Sequence, residues 1–175
     1  MKNIDWQLIY FPTIDSTNEE ARRLIKEGKS EGTVIVAEQQ SKGRGKPGRV
    51  WVSPPGGIYL SVILRPFKNP QALVPLTLLA ARAVAQTIAK VSGLKAEIKL
   101  PNDVLIKGKK ICGILVERVA SGHLMVGIGL NLNNAVDSVQ QATSLKQEAG
   151  KEFVPSLFIE NLLSELNQEY LAYLK

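Results

Sequence analysis

The chain has 175 residues, 45% of them hydrophobic and 22% charged, with a formal net charge of +6. That length suits one domain with a sizeable core, and the balance is that of an ordinary globular chain. The charge favours anionic partners, but helix-turn-helix and zinc-finger patterns are absent and only 6% of residues are aromatic, which argues against a specific nucleic-acid binder.

The single cysteine, Cys112, excludes an intrachain disulfide. It lies in the apolar run KICGILVE with no histidine nearby, so it reads as a buried small hydrophobe. The lone histidine, His123, follows Ser121 and Gly122 at a turn and has no evident metal partner. The opening residues MKNIDWQ do not form a signal peptide, and no unbroken apolar run approaches about 18 residues. The chain therefore reads as cytoplasmic, without a membrane segment.

In chain order, residues 6–12 predict a strand closed by Pro12. A helix follows from Ser16 to about Glu27, with Ala21, Leu24 and Ile25 on its apolar side and Gly28 ending it. Ser16 and Glu19 form a capping-box pattern. Residues 33–37 are a β-branched strand buried on both faces, and 58–64 are a third strand after the turn at Gly56 and Gly57. Residues 66–70 connect to the longest internal helix, 75–91, whose Leu76, Leu79, Ala80, Ala83, Val84 and Ile88 follow helical spacing. A short strand, 96–100, is interrupted by Pro101. Residues 103–106 and 110–118 form a hairpin around 107–109, and 124–132 form another strand. Residues 133–150 are weakly patterned. A last helix spans 154–174, with Phe158, Leu162, Leu166 and Tyr170 along one side. The expected class is α+β, one mixed and mainly antiparallel sheet backed by helices.

The stretch 37–53, AEQQSKGRGKPGRVWVS, stands out as too polar and glycine-rich for core. Gly43, Gly45 and Gly48 alternate with Lys42, Arg44, Lys46 and Arg49, a composition suited to phosphate or carboxylate oxygens. Trp51 offers a stacking face. The spacing nearly copies a phosphate loop, but Arg49 and Val50 stand where lysine and a hydroxyl are required, and WVSPPGG cannot open a helix. Three more polar islands interrupt the apolar framework, at 16–18, 99–103 and 127–131. Lys99 ends an apolar strand beside Pro101, placed to neutralise a carboxylate that becomes an acyl phosphate. Asn102 and Asp103 could cap the next turn or coordinate Mg²⁺.

Five motifs in this order, DSTN (15–18), Q-x-x-G-R-G-x-x-G-R-x-W (40–51), K-x-P-N-D (99–103), CGILVE (112–117) and VGIGLN (126–131), resemble those of biotin–protein ligases. The resemblance spans nearly the whole chain. It implies a class II aminoacyl-tRNA-synthetase-like, biotin–lipoyl ligase catalytic fold over 1–175, without the N-terminal DNA-binding domain or the C-terminal β-rich domain of other members. It also implies a two-step reaction: biotin and ATP, with Mg²⁺, give biotinyl-5′-AMP, and a lysine of a biotin carboxyl carrier acceptor domain then takes the biotinyl group. A homodimer is compatible with it.

By position, Ser16, Thr17, Asn18 and Gln40 would line the biotin pocket and the backbone of Gly113 would approach the ureido ring. Arg44, Gly45 and Lys46 would close over the adenylate. Lys99 would meet the biotin carboxylate and α-phosphate, acting with Arg44 as the catalytic pair. Arg49 and Asn131 would face the ATP phosphates and Trp51 the adenine, with Asp103 as candidate metal ligand. The rival readings are a lipoate or octanoate ligase or transferase, and a non-catalytic biotin-binding module.

Overall fold

The computed structural model describes residues 3–66, 73–119, 122–136 and 139–175. Seven strands form one sheet: β1 (Gln7–Ile14), β2 (Thr33–Gln40), β3 (Ile58–Leu64), β4 (Glu97–Lys99), β5 (Asp103–Ile106), β6 (Lys109–Arg118) and β7 (Leu124–Leu130). Their order is β1-β2-β3-β7-β6-β5-β4. Only β1 and β2 run parallel; every other neighbouring pair is antiparallel. The mixed, mainly antiparallel sheet is the one expected.

The helices cover both faces. On one, α1 (Thr17–Lys26) buries Ala21, Leu24 and Ile25 against Ile35, Ile63 and Met125. On the other, α2 (Leu73–Ser92) and α4 (Pro155–Leu174) build the main core with Val34, Leu60, Val126 and Ile128. Phe158, Leu162, Leu166 and Tyr170 all face that core, as their spacing requires. By length and composition α2 could cross a bilayer, with a mean hydropathy of 1.3 over 18 residues, yet half of that window is buried in the protein. It is the core helix of the sheet. A further short helix, α3, spans Leu145–Ala149.

The structure departs from the sequence reading at several boundaries, each for a local reason. β1 continues past Pro12 to Ile14 because it is an edge strand, where a residue without an N–H costs no ladder bond. β4 is three residues long, and α2 is described from Leu73. From residue 67 on, the expected connection over 66–70 lies outside the described residues, as does Ser121 of the turn before β7.

The capping box at Ser16 and Glu19 does not form. Asp15 Oδ1 already accepts the Ser16 N–H at 2.7 Å, and Glu19 is drawn to Arg22 and Arg44. A true capping box sits instead in the stretch read as weakly patterned. Ser144 accepts from the Gln147 N–H, Gln147 Oε1 accepts from the Ser144 N–H at 3.1 Å, and Gly150 closes α3 at φ +69. Ser144→Ala is expected to cost about 1 kcal/mol and lower Tm by roughly 2–4 °C. A melting curve with unchanged far-UV circular dichroism at low temperature checks this.

Candidate active site

A cavity of about 380 Å³ opens where the loop after β2 folds back over β6 and β7. That loop is a small hairpin. Gln40 bridges Ser53 and Arg44 bridges Val50, while the Trp51 N–H donates to Gly43 O at 3.0 Å and the Arg49 N–H to Lys46 O at 2.9 Å. Gly48, at φ +80, makes its turn.

Two facing glycines lie beneath the Trp51 ring. Gly113 on β6 and Gly129 on β7 are cross-strand partners. A Cβ on Gly113 would come within 2.8 Å of the Trp51 ring, and one on Gly129 would overlap its indole nitrogen. The tryptophan therefore rests directly on two paired backbones. Its Nε1 is buried without a partner, and Lys110 Nζ lies over the ring at 5.4 Å from the centroid.

One wall is a polar network carried by the start of α1. Gln40 Oε1 accepts from the Thr17 N–H at 2.8 Å, and Gln40 Nε2 donates to Ser53 Oγ at 2.8 Å. Ser61, fully buried in the middle of β3, donates to Asn18 Oδ1 at 2.6 Å and lies 2.8 Å from Thr17 Oγ1. Asn18 crosses β7 above Gly127, where a Cβ would overlap its amide. Buried polar groups at this density are stable only when paired, which fixes each amide and hydroxyl in place.

Other residues of the lining carry charge. Lys110 Nζ is 2.7 Å from Asp103 Oδ1. Arg44 is held by Glu117 at 2.9 Å and by Glu19. Among the described residues, Lys46 and Arg49 line the cavity without an ion pair of their own. Cys112 lies beneath, fully buried, and burial pushes its thiol pKa well up, so it stays a protonated hydrophobe as its sequence context suggested.

Ser16, Thr17, Asn18, Gln40 and Gly113 thus meet in one cavity with Arg44, Gly45, Lys46, Arg49, Trp51 and Asp103. Lys99 and Asn131 do not join them. Lys99 pairs with Asp103 but stands on the outermost strand, about 4.8 Å further out, with an exposed side chain. Asn131 is buried, donating to Thr143 O at 3.1 Å and accepting from Asn134 Nδ2 at 3.1 Å. The strand lysine that lines the cavity is Lys110. The pairing of β5 with β6 jumps from Val104–Cys112 to Leu105–Lys110, leaving Ile111 as a bulge. That extra residue turns Lys110 onto the face of Gly113 and Asp103, which strict alternation would have assigned to Ile111.

Residues 10–133 match the biotin/lipoate A/B protein ligase family. The chain belongs to that family. It is 41% identical to a bifunctional ligase/repressor BirA of Bacillus spizizenii, over 95% of this chain and 54% of that protein. It is 37% identical to a biotin–[acetyl-CoA-carboxylase] ligase of Paracoccus denitrificans, over 85% of this chain and 66% of the relative. The fold superposes on the biotin protein ligase from Aquifex aeolicus in complex with biotin and ATP, with a TM-score of 0.85 and 32% identity over 95% of this chain and 71% of that one. The chain spans about half the length of the BirA relative. As a biotin/lipoate ligase family member it keeps the expected fold class, a seven-stranded mixed sheet backed by helices.

Asp15 anchors the corner from which Ser16, Thr17 and Asn18 project. The Arg23 guanidinium, 2.7 Å away, and the Ser16 N–H hold its carboxyl down at about 2. A depressed folded pKa contributes stability above the unfolded value, and that contribution disappears as pH falls through the folded one. The Tm gap between wild type and Asp15→Asn should therefore be constant from neutral pH to about 5 and close between about pH 4 and 2. Melting curves across that range check it.

Proposed function

We propose that this chain activates biotin with ATP to biotinyl-5′-AMP and transfers the biotinyl group to a lysine of a biotin carboxyl carrier acceptor domain. The observation that carries the reading is the meeting, in one cavity, of uncharged polar side chains with cationic ones beside the Trp51 ring. A ureido group requires several donors and acceptors in a dry pocket, where each unpaired group costs about 1–3 kcal/mol. Thr17, Asn18 and Gln40, with Ser16 beside them, supply that set. Relatives named as biotin–[acetyl-CoA-carboxylase] ligases, and the Aquifex complex with biotin and ATP, support the same substrates.

In the first step a biotin carboxylate oxygen attacks the α-phosphorus and pyrophosphate leaves. Negative charge gathers on the phosphoryl oxygens, where Lys110 and Arg44 are fixed before the reaction begins, so they stabilise the transition state with little reorganisation. Lys110 takes the role that the sequence reading gave to Lys99. Trp51 and Arg49 flank the nucleotide side. In the second step an acceptor lysine attacks the acyl carbonyl and AMP leaves with the bond electrons. No enzyme nucleophile is required, and buried Cys112 is unsuited to be one.

Asp103 does not fit as a resident metal ligand. Its carboxylate is engaged by Lys110, and among the described residues no cluster of three His, Cys, Asp or Glu side chains could hold an ion. Mg²⁺ enters as part of the ATP substrate. Residues 1–175 are read as one catalytic unit acting in the cytoplasm.

The test is ATP–pyrophosphate exchange driven by biotin, with octanoate and lipoate in parallel. Biotin alone should drive exchange. Lys110→Ala should slow it by at least about 100-fold, while Lys99→Ala, exposed and screened, should change it less than about twofold. Exchange driven by octanoate instead of biotin, or full activity in Lys110→Ala, would overturn the assignment.

A further inference from the structure

Glu117 ends the CGILVE motif near the end of β6, outside the cavity lining. Its side chain is one-fifth exposed and carries three contacts. Oε2 accepts from Asn18 Nδ2 at 2.9 Å. Oε1 is 2.9 Å from Arg44 and 3.5 Å from Arg22. Glu19, on α1, meets the same two arginines, Arg22 at 3.5 Å and Arg44. Two guanidinium and two carboxylate groups thus alternate in a closed ring without net charge, joining α1, the glycine loop and β6.

We infer that Glu117 is a positioning residue, holding Arg44 at the cavity before the ligand arrives and fixing the Asn18 amide in the polar wall. The ligand is named by the function proposed above; the contact itself does not depend on it. The two halves of the inference share one carboxylate. Arg44 spends one N–H on Glu19 and one on Glu117, leaving three of its five donors for an anionic ligand. The Asn18 amide has its orientation set from both ends, Nδ2 by Glu117 and Oδ1 by the Ser61 hydroxyl. A single exposed ion pair would contribute little, but a closed network anchored to a buried amide orders a long side chain in advance. Ligand binding is then spared the cost of immobilising it.

Glu117→Gln keeps the length and an acceptor for Asn18 but removes the charge. In ligand-free protein, tryptic cleavage at Lys42 and Arg49 should become several-fold faster. In biotin-driven exchange, kcat/KM for biotin should fall by about tenfold, with KM raised and kcat lowered, because the function proposed above uses Arg44 both for the ligand and for the transition state. In an Arg44→Ala background the same change should add nothing further to KM. Unchanged cleavage and KM would overturn the inference. So would an undiminished effect without Arg44. If wild type shows no biotin-driven exchange, the functional reading falls and the cleavage arm alone decides the inference. If Glu117→Gln fails to fold, Glu19→Gln breaks the same ring from the surface of α1 and carries the same measurements.

Discussion

Two glycines facing each other across β6 and β7 set the geometry of this molecule. Gly113 and Gly129 lie in register near the middle of the sheet, and the absence of a Cβ at both lets the Trp51 ring settle on bare backbone. A side chain at either would lift the loop off the sheet. Gly43 repeats the constraint on the loop side, since a Cβ there would overlap Trp51 O, whose residue returns its N–H to Gly43. Three close approaches therefore bring the cationic loop down onto a rigid platform. Strand pairing holds that platform with far less freedom than a surface loop has.

The polar wall depends on the same platform. β3 is buried along its whole length, and a hydroxyl in such a strand is costly unless it is bonded. Ser61 resolves that cost by bonding to Asn18 and approaching Thr17, which fastens the first turn of α1 to the sheet. Gly127, beside Gly129 in the alternation of β7, clears the space that Asn18 needs. The residues that would read a ligand are thereby held by residues that never touch it.

Much of this was legible in the chain. Helical spacing located α2 and α4, apolar runs located β2 and β3, and the glycine loop stood out as the cationic stretch that lines the cavity. What escaped was geometry that depends on a single inserted residue or on position within the sheet. The bulge at Ile111 leaves no mark in composition, so the sequence places Lys110 only at the start of a strand, while Lys99 stands out beside Pro101. The rank of β4 as the outermost strand, which leaves Lys99 exposed, cannot be read from the order of motifs. Asn131 sits in a recognisable motif but is drawn inward by Asn134 and the Thr143 carbonyl, groups from the stretch with the weakest pattern. Glu19 fitted a capping box, and only the folded neighbourhood reveals that two arginines compete for it. Ser61 was the readable signal passed over: a hydroxyl inside a fully apolar strand asks for a partner.

The cations of the site divide into two kinds, and the division bears on the chemistry. Arg44 and Lys110 are each paired with carboxylates, which lowers their net charge toward an incoming anion. Lys46 and Arg49 keep theirs but ride on a glycine-rich hairpin. If attraction alone mattered, the unpaired set would dominate. A transition state, however, is stabilised by charge already in position, because a flexible cation must give up solvation and freedom during the reaction. The paired cations surrender some field strength and gain fixed placement. Asp103 and Glu117, carboxylates beside a site proposed to take anions, are then not at odds with it. On the function proposed above, they hold the two cations that must not move, and the unpaired cations of the loop would draw the phosphates in.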